Sequence, residues 1–477
     1  MLQGFDRMRF RGTRRFLSTV AGMMSYLWQR DVRRKDFKAF AADLTAQGRQ
    51  AAEEVATRQG RPVEYVPNSD LAKEDWARAV AQGHGLQQGL IGVLQAVEGC
   101  WSYQVGPNRE THQLERRGQA SKCLHYYQYF LDPEVGLVDV RRQTWFPFPV
   151  QVGMNGRERL ARQLDQAGLR YQRRDNGLPG VEEWARAQEL LDAQLRTDWP
   201  GLRNRLLAQA NPALDLVDAH ARSYYWSMAE GAWASDLAFA SPAALVELAP
   251  RLFRHAWLNF ASADVMRFLG SKAVRDHGPH GNCTGEVVTD LKRRPEGPRI
   301  KHRLKRNWIK RDEQQGAVRR VETVINDPRD MNVYRAQEGD ADGPKSWQRV
   351  RQGVADLHRR AAIRQAATDR YVEALASVDE SRSLVELAQA VGEPVSWQGK
   401  RARGLNPLAA DDARVLEAVN RGEFARNGCR NRDLRGLLFP KPAVDGTAQR
   451  RQSAAITRPL RLLRAHGLIP KAPQTHR

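Results

Sequence analysis

Cysteine is scarce in this chain, which has four such residues among 477. Cys100, Cys123, Cys283 and Cys429 lie far apart and form no C-x-x-C pair. Their spacing offers neither a cysteine-based zinc site nor a disulfide scaffold, and it is typical of proteins that remain in a reducing compartment. We therefore expect a cytoplasmic protein.

The sequence also lacks a long apolar run. No stretch approaches the roughly 20 apolar residues that span a bilayer. A basic segment at 8–15 precedes an apolar run at 16–28, in the order found in signal peptides, but glycine and serine interrupt the run and no small-residue cleavage site follows. We expect no membrane partner and predict an amphipathic helix here. Its apolar face contains Phe16, Val20, Met23 and Leu27.

Acidic residues are fewer than basic ones, 55 against 76, and the formal net charge is +21. Two segments carry most of the surplus. Residues 291–320 contain twelve lysines and arginines but three acidic residues, and residues 413–477 contain fourteen and four. Concentrated positive charge attracts polyanions and releases their counterions. The sequence therefore predicts a nucleic-acid-binding protein with two basic surfaces.

A chain of 477 residues exceeds the usual size of one hydrophobic core, so we expect several domains. The order of predicted helices and hairpins favours a multi-domain α+β fold with antiparallel sheets packed against helices. The predicted regions are an N-terminal helical and αβ region (1–119), a hairpin followed by helices (120–272), a basic β-meander followed by helices (273–393), a linker (394–412) and a winged-helix-like DNA-binding domain (413–477).

Periodicity and turn residues place individual elements within these regions. The predicted strands are 89–94, 123–130, 135–145, 150–154, 285–291, 299–310 and 317–325. Residues 182–270 are predicted to be mostly helical. The predicted helices are 36–44, 47–57, 158–167, 182–195, 242–257, 263–268 and a helical stretch over 352–391.

Basic and apolar residues alternate strictly along 299–305. In a strand, this alternation places the basic residues on one face at a spacing of about 7 Å. A phosphate backbone has a comparable period, and the nearby Arg306 and Trp308 could stack on the bases of a single strand. The alternative is a solvated face neutralised by acidic residues from elsewhere. The basic side chains of the predicted face are Arg299, Lys301, Arg303 and Lys305, with Ile300, His302 and Leu304 on the other face.

Three carboxylates flank this strand in the predicted meander: Glu286, Asp290 and Glu322. Oxygen ligands beside a phosphate-binding strand could hold Mg²⁺, an arrangement that phosphoryl transfer needs. Carboxylates opposite lysine or arginine on a neighbouring strand more often form ion pairs, and we favour that interpretation. We predict no cofactor, and Mg²⁺ enters only if these carboxylates are catalytic.

A second cluster contains Tyr126, Tyr127 and Tyr129 next to His125. A nucleophilic tyrosine beside a histidine-bound metal is the chemistry of a single-strand nickase. The sequence contains no His-x-His pair that would hold such a metal, and aromatic residues are common in strands. Core packing is therefore the favoured interpretation.

The C-terminal basic segment is predicted to form helices at 413–421, 431–438 and 449–466. One side of the third helix is apolar, and its arginines fall on the opposite arc at about 100° per residue. Such a helix fits the major groove of duplex DNA. The apolar residues are Ile456, Leu460 and Leu463, and the arginines are Arg450, Arg458, Arg461 and Arg464.

Residues 462–469, followed by Lys471 and 475–477, resemble the recognition helix and first wing strand of a MarR-like winged helix. The resemblance covers roughly residues 413–477 and implies that this segment binds duplex DNA. Two features depart from the pattern. Pro459 lies inside the recognition helix, and the chain stops at Arg477, where a returning wing strand is expected.

Most of the remaining chain resembles a group of bacterial proteins with no established activity. The matching stretches are 122–127, 155–157, 285–291, 319–323 and 353–360. Residues 310–323 also resemble, distantly, the Lys-x-Tyr-Asp-Lys…Leu-Arg-x-Glu pattern of plasmid and phage replication initiators. Because Arg311, Asp312 and Glu313 stand where that pattern has Tyr-Asp-Lys, the catalytic role of the tyrosine is not carried over.

These patterns predict a DNA-binding protein of mobile-element or regulatory type, in which a C-terminal winged helix contacts duplex and a basic sheet contacts phosphates. One alternative is a metal-dependent nuclease or replication-initiator-like nickase that uses the three carboxylates. Another is an RNA-binding structural component, although no RNA-binding motif is recognisable. The residues predicted to contact nucleic acid are Arg299, Lys301, Arg303, Lys305, Arg306, Trp308, Arg450, Arg458, Arg461, Arg464 and Lys471.

Overall fold

The computed structural model describes most of the chain, in two compact units. Unit 1 comprises Met1–Asp236 and Gln352–Ala361, and unit 2 comprises Leu237–Arg351 and Ala362–Arg477. Strands and helices pack together in both, which confirms the predicted α+β class. The described residues are 1–477 except 68–71, 108–109, 111–113, 175, 211–223, 271–286, 295–296, 314–316, 329–330, 337–342, 380–382, 422–423, 425–427, 440–444, 473–474 and 477.

Unit 1 is built around one large sheet. Its strands are β1 (Leu2–Thr13), β2 (Val63–Tyr65), β3 (Gly89–Pro107), β4 (Leu114–Asp132), β5 (Gly136–Gln143), β6 (Val150–Asn155), β7 (Tyr171–Arg174), β8 (Gly177–Val181) and β9 (Tyr225–Ala238), of which β9 ends two residues into unit 2. Its helices are α1 (Val20–Gln29), α2 (Phe37–Arg58), α3 (Lys73–Gly83), α4 (Gly156–Gln166), α5 (Trp184–Gln194) and α6 (Trp199–Ala210).

The sheet of unit 1 has the strand order β9-β1-β6-β5-β4-β3-β2, with β7 and β8 forming a separate hairpin. Neighbours are antiparallel except β2 and β3. Met8 and Phe10 of β1 enter a core that also contains Trp199 and Trp226, whereas Arg7, Arg9 and Arg11 do not. The N-terminal strand is thus an interior strand of the sheet, between β9 and β6.

Two strands of unit 1 were not predicted. Residues 2–13 form β1 within the predicted helical and αβ region, and β9 lies within 182–270, whose described residues are mostly helical as predicted. Residues 231–236 of β9 are all buried, so both strand faces are covered and no alternation of polar and apolar residues marks the strand. Sequence periodicity could not reveal β9 for this reason.

The predicted amphipathic helix exists as α1, but its buried face differs. Met23, Tyr26 and Leu27 are buried, whereas Phe16 and Val20 are 38% and 42% exposed. Phe16 precedes the helix in a short 3-10 turn, which changes the direction of its side chain relative to α1. The prediction was right about the helix and wrong about two residues of its face.

Other predictions are confirmed with small shifts. The hairpin around Pro133 is β4–β5, in which Asp132 pairs with Gly136. The predicted helices 36–44 and 47–57 are one continuous helix, α2, and 158–167 and 182–195 correspond to α4 and α5. Helical composition was therefore sufficient to predict α2 and α5, which begin without a side-chain cap, as well as α4, which Asn155 caps.

Unit 2 contains a four-stranded antiparallel sheet in the order β10-β11-β12-β13. One face of this sheet packs on the helices through Ile300, Ile309, Val321, Phe268 and Tyr371. The elements are α7 (Pro242–Leu258), α8 (Ser262–Leu269), β10 (Val288–Arg294), β11 (Gly297–Leu304), β12 (Asn307–Glu313), β13 (Val318–Ile325), the hairpin β14 (Asn332–Arg335) and β15 (Ser346–Arg349), and α9 (Leu357–Ala376), which begins in unit 1.

The C-terminal part of unit 2 has a hydrophobic core of its own, which includes Leu405, Val415, Leu434, Ile456 and Leu463. The predicted linker 394–412 contains a hairpin and contributes Leu405 to this core. Among the described residues, no helix is both long and apolar enough to cross a membrane. The elements here are α10 (Leu384–Gly392), β16 (Val395–Trp397), β17 (Lys400–Ala402), α11 (Ala410–Val419), α12 (Asn431–Leu438), α13 (Gly446–Ala465), β18 (Lys471–Ala472) and β19 (Thr475–His476).

Candidate nucleic-acid interface

The basic strand is β11, and the two sides of its alternation are confirmed. Ile300, His302 and Leu304 are 0%, 1% and 6% exposed and face the helices. Arg299 and Lys301 are half-buried and Arg303 is exposed. The register places Asp312, Lys310 and Trp308 of β12 directly opposite these three cations, in that order. Because opposite residues share a face, this face carries acidic and aromatic groups as well as cations.

Lys305 and Arg306 do not extend this row. The predicted strand 299–310 is two strands, since Leu304 pairs with Asn307 across a tight turn formed by these two residues. Lys305 has a φ of 54°, which takes it out of extended conformation. Both side chains are exposed at the tip of the β11–β12 hairpin. They remain candidates for phosphate contact, but not as part of the strand face.

Trp308 is half-buried on the same face. The ammonium of Lys301 lies 4.1 Å from the centroid of its ring, a cation–π contact. Burial and the neighbouring Arg299 lower the pKa of Lys301. The ring is thus associated with a cation of its own sheet, and stacking on a base would have to use surface that Lys301 leaves open.

The three carboxylates are not brought together. Asp290 lies opposite Lys301 on β10, and Glu322 opposite Lys310 on β13, so two strands separate them. Strands spaced about 4.8 Å apart place their backbones about 14 Å from each other, beyond the reach of one shared ion. Glu286 lies outside the described residues. Within the described part of the chain, no group of three or more His, Cys, Asp or Glu side chains is arranged to hold a metal ion.

Glu322 takes part in a cross-strand ion pair of the kind the favoured interpretation expects. The ammonium of Lys310 lies 3.0 Å from Glu322 Oε2 and 2.9 Å from Asp312 Oδ2. Burial by itself lowers the pKa of Lys310, but the two carboxylates outweigh it and raise that pKa. Lys310 is therefore neutralised in place, and it contributes little to the attraction of a polyanion.

The tyrosine cluster is buried. Tyr126, Tyr127 and Tyr129 are 0%, 6% and 6% exposed, and His125 is 1% exposed. The hydroxyl of Tyr127 donates to both oxygens of Glu98, at 2.6 and 2.7 Å. These observations confirm that core packing is the better interpretation of this cluster.

The predicted C-terminal helix is α13, and its apolar side is confirmed. Ile456, Leu460 and Leu463 are 2%, 3% and 0% exposed. Pro459 lies within the helix without ending it. The opposite side carries exposed arginines. One of them, Arg451, was not predicted to belong to this side, although its position at about 100° per residue places it there. We call this set the arginine arc: Arg450, Arg451, Arg458 and Arg461.

No ion pair or hydrogen bond to another described residue occupies any arginine of the arc. Arg464, also predicted to belong to it, is half-buried and lies 5.1 Å from the ring centroid of Trp397. The arc therefore presents four uncompensated guanidinium groups on one side of one helix. Such groups match phosphate oxygens and guanine edges in geometry.

Side-chain hydrogen bonds fix α12 against α13. Asn431 Nδ2 donates to the carbonyl of Ser453 at 2.8 Å and to Thr457 Oγ1 at 3.0 Å, and Ser453 Oγ donates to Asn431 Oδ1 at 3.0 Å. These bonds hold the first turn of one helix on the middle of the next. The start of α12 is thereby fixed to one point on α13.

A short hairpin follows α13. Lys471 pairs with His476 and Ala472 with Thr475, so the returning strand that was expected to be missing is present as β19. Lys471 is exposed.

Unit 1 contains a polar cavity of about 350 Å³ that no sequence pattern had predicted. Its walls carry charges of both signs, among them Arg7, Arg9, Asp139 and Glu158. The alternation of Arg7, Arg9 and Arg11 with apolar residues in β1 was the available signal, but the same stretch also fits the basic start of a signal peptide. A small polar molecule matches the size and chemistry of this cavity.

Two carboxylates near this cavity have pKa values that are shifted in opposite directions. Burial raises the pKa of Asp139, against the lowering effect of Arg9, whose guanidinium lies 3.5 Å away. Burial also opposes ionisation of Glu98, but hydrogen bonds from Tyr127 and Arg141 outweigh it and hold the pKa of Glu98 at about 2. The surroundings of Asp139 thus oppose its ionisation on balance, whereas those of Glu98 favour it.

A comparison of the chain with models of protein families, with curated proteins and with solved structures found no match. The arrangement of the chain's own side chains is therefore the basis on which a function can be assigned.

Proposed function

We propose that this protein binds nucleic acid, with duplex DNA as the preferred ligand, through α13 and the elements that support it. The observation that carries the proposal is the arginine arc, whose four exposed guanidinium groups have no partner among the described residues. A cationic helix with its apolar side fixed in a core can enter a groove without unfolding. The segment 413–477 also has a net surplus of ten positive charges.

The hairpin β18–β19 supports the same assignment. It follows the arginine-bearing helix directly and carries the exposed Lys471. In a winged-helix mode of binding, the helix occupies the major groove and the hairpin lies along the adjacent backbone. A cytoplasmic protein of mobile-element or regulatory type is the biological setting that we propose for this activity.

A second, weaker contact is proposed at the sheet of unit 2. Arg303, Lys305 and Arg306 are exposed there, and none has an ion-pair partner among the described residues. Phosphate contacts of this kind position a ligand without reading its sequence. The neutralised Lys310 and the Lys301–Trp308 contact reduce what the rest of this face can contribute.

Salt-dependent binding to a labelled duplex of random sequence tests the main proposal. The slope of log binding constant against log salt concentration is negative, and each lost phosphate contact reduces its magnitude by about 0.9. The change of Arg450, Arg458 and Arg461 to glutamine should therefore reduce this magnitude by about 2.7 and weaken binding at least ~10-fold. A matched control replaces three exposed cations of unit 1, Arg33, Lys35 and Lys38, by glutamine. Equal effects of the two variants would remove the assignment to α13.

The nuclease alternative is favoured by no arrangement of the described residues, and one assay decides it. Labelled single- and double-stranded DNA is incubated with the protein and Mg²⁺ or Mn²⁺, beside an RNA competitor. We expect no cleavage and stronger competition by DNA than by RNA. Cleavage that Glu322→Ala abolishes would replace the binding proposal with an enzymatic one, and stronger competition by RNA would change the ligand.

A further inference from the structure

The hairpin β16–β17 is a short, well-defined projection of the C-terminal part of unit 2. Val395 pairs with Ala402 and Trp397 with Lys400. The two turn residues, Gln398 and Gly399, have φ values of 52° and 70°. Positive φ at both central positions is the geometry of a tight hairpin turn whose twist matches that of its strands. The tip is thus conformationally restricted.

The hairpin is attached to α13 at the C-terminal end of that helix. The guanidinium of Arg464 lies 5.1 Å from the ring centroid of Trp397. His466 Nε2 donates to the carbonyl of Arg403 at 2.9 Å, just beyond the end of β17. Two contacts from the C-terminal end of the same helix, one by Arg464 and one by the C-cap residue His466, therefore fix the position of the hairpin relative to α13.

The other attachment is to α11. The guanidinium of Arg403 binds both oxygens of Asp412, at 2.7 and 2.8 Å, and the backbone N–H of Asn406 donates to the same carboxylate at 2.9 Å. Asp412 is 6% exposed, so this pair is partly withdrawn from solvent and geometrically specific. The hairpin is consequently held from two sides.

The position of Arg464 places the hairpin next to the arginine arc. At about 100° per residue, Arg464 lies about 60° around the helix from Arg461, between the arc and the apolar side. Trp397 contacts Arg464, so β16 borders the arc on that flank. Lys400 and Arg401 of β17 are exposed, and no described residue pairs with either.

We infer that β16–β17 is a second phosphate-binding arm beside the stretch of duplex bound by α13, in which Lys400, on the same face of the hairpin as Trp397, and Arg401, on the opposite face, contact phosphates on the two sides of the hairpin. This inference rests on the proposed function and identifies a further part of the same ligand, the flanking phosphates. Two exposed cations on a restricted hairpin lose little conformational freedom on binding, which favours contact. Since phosphates alone are contacted, the arm adds affinity without sequence preference.

The test is the double variant Lys400→Gln/Arg401→Gln, measured in the full chain by the salt titration described above. We expect the slope to fall by about 1.8 and binding at about 0.1 M salt to weaken by one to two orders of magnitude. Both side chains are exposed, so thermal unfolding should be unchanged. The matched control is Lys345→Gln/Arg349→Gln, which removes two exposed cations from the hairpin region of β14–β15 and should leave the slope as it is.

The outcomes separate this inference from the proposal beneath it. A full-length protein that does not bind duplex overturns both. If it binds, and the variant of the arginine arc weakens binding while the Lys400/Arg401 variant behaves as its control does, then β16–β17 is no phosphate-binding arm and the assignment to α13 stands. Trp397→Ala provides a second test by the same salt titration. Loss of the ring removes the contact between the hairpin and Arg464, so the magnitude of the slope should fall by part of the amount expected for the double variant, although Lys400 and Arg401 are still present.

Discussion

Arg203 in α6 is fully buried, and its three guanidinium nitrogens have no hydrogen-bond partner among the described residues. The group lies 4.5 Å from the ring centroid of Phe10 and 5.0 Å from that of Trp226. Burial lowers its pKa to about 9, although Asp198 opposes this effect. Among the described residues, the close contacts of this charged group are with aromatic faces.

The change Arg203→Met should therefore stabilise the protein. The cation–π contacts contribute up to ~2 kcal/mol when desolvated, but burial of an unpaired charge costs several kcal/mol. We expect a net gain of about 1–3 kcal/mol in the free energy of unfolding, measured by urea denaturation, because a side chain of similar volume keeps the packing. Arg203→Lys is the control, since it keeps the charge and should give no gain. A destabilised Met variant would mean that the aromatic contacts outweigh desolvation.

Buried arginines also explain why a count of charges cannot locate a surface. Arg311, Arg319 and Arg320 contribute to the surplus of 291–320 but are 1%, 1% and 2% exposed. Long-range packing decides whether a guanidinium faces solvent, and no local pattern encodes it. The alternation in 299–303 did predict its exposed side correctly, because a period of two is a local property.

At the scale of elements, the turn between β11 and β12 shows what local sequence omits. Two-residue hairpin turns usually carry glycine or asparagine where φ is positive, whereas this one has Lys305 with a φ of 54°. The sequence 299–310 therefore contained no strong turn signal and was predicted as one strand. The turn is held by the pairing of β11 with β12, which is a tertiary property.

We predict that Lys305→Gly stabilises the protein by about 0.5–1 kcal/mol, because glycine adopts positive φ without steric cost and the relief exceeds its entropic penalty. The measurement is thermal or urea unfolding. Lys305→Ala removes the same charge but keeps the strain, so it should bring no gain. If Lys305 contacts phosphate, the two variants should weaken duplex binding equally, and a difference between them would indicate an effect of turn conformation on binding.

The C-terminal helices, in contrast, were predicted well from local sequence. The predicted helix 431–438 has the same bounds as α12, and the apolar side of α13 was predicted residue by residue. Helical period and capping residues are local, which is why they sufficed. The hairpin β16–β17 was predicted as linker, because three-residue strands between glycine and proline give too short a pattern to distinguish from a loop.

At the scale of the whole molecule, the hydrophobic side chains form separate clusters. The cluster around Leu434 and Leu463 draws its buried members from 405–469, and Val391 packs against it. No described hydrophobic residue outside 391–469 belongs to this cluster. Ser383 is the N-cap of α10 and forms a reciprocal capping box with Glu386. The segment that contains the cluster can therefore begin at a capped helix start. A segment with its own core and capped start has the properties of an independently folding domain.

We accordingly predict that a fragment of residues 383–477 folds alone, with a single cooperative thermal transition followed by far-ultraviolet circular dichroism. It should bind duplex DNA with most of the salt dependence of the full chain, because it contains the arginine arc, Lys471 and the Lys400/Arg401 pair. The part that it lacks is the contribution of Arg303, Lys305 and Arg306. A fragment with Leu434→Ala, which opens a cavity at a fully buried site, should lose ~2–5 kcal/mol and unfold at a lower temperature.

The comparison of fragment and full chain also apportions binding between the two basic surfaces. If the fragment folds and its slope is lower than that of the full chain by about 0.9 for each missing contact, the sheet of unit 2 takes part in binding. Equal slopes would confine binding to the C-terminal helices and make the basic sheet a solvated face. A fragment that folds but does not bind would place the interface in the rest of the chain. We do not expect this outcome, because the fragment contains the arginine arc, whose side chains have no partner among the described residues.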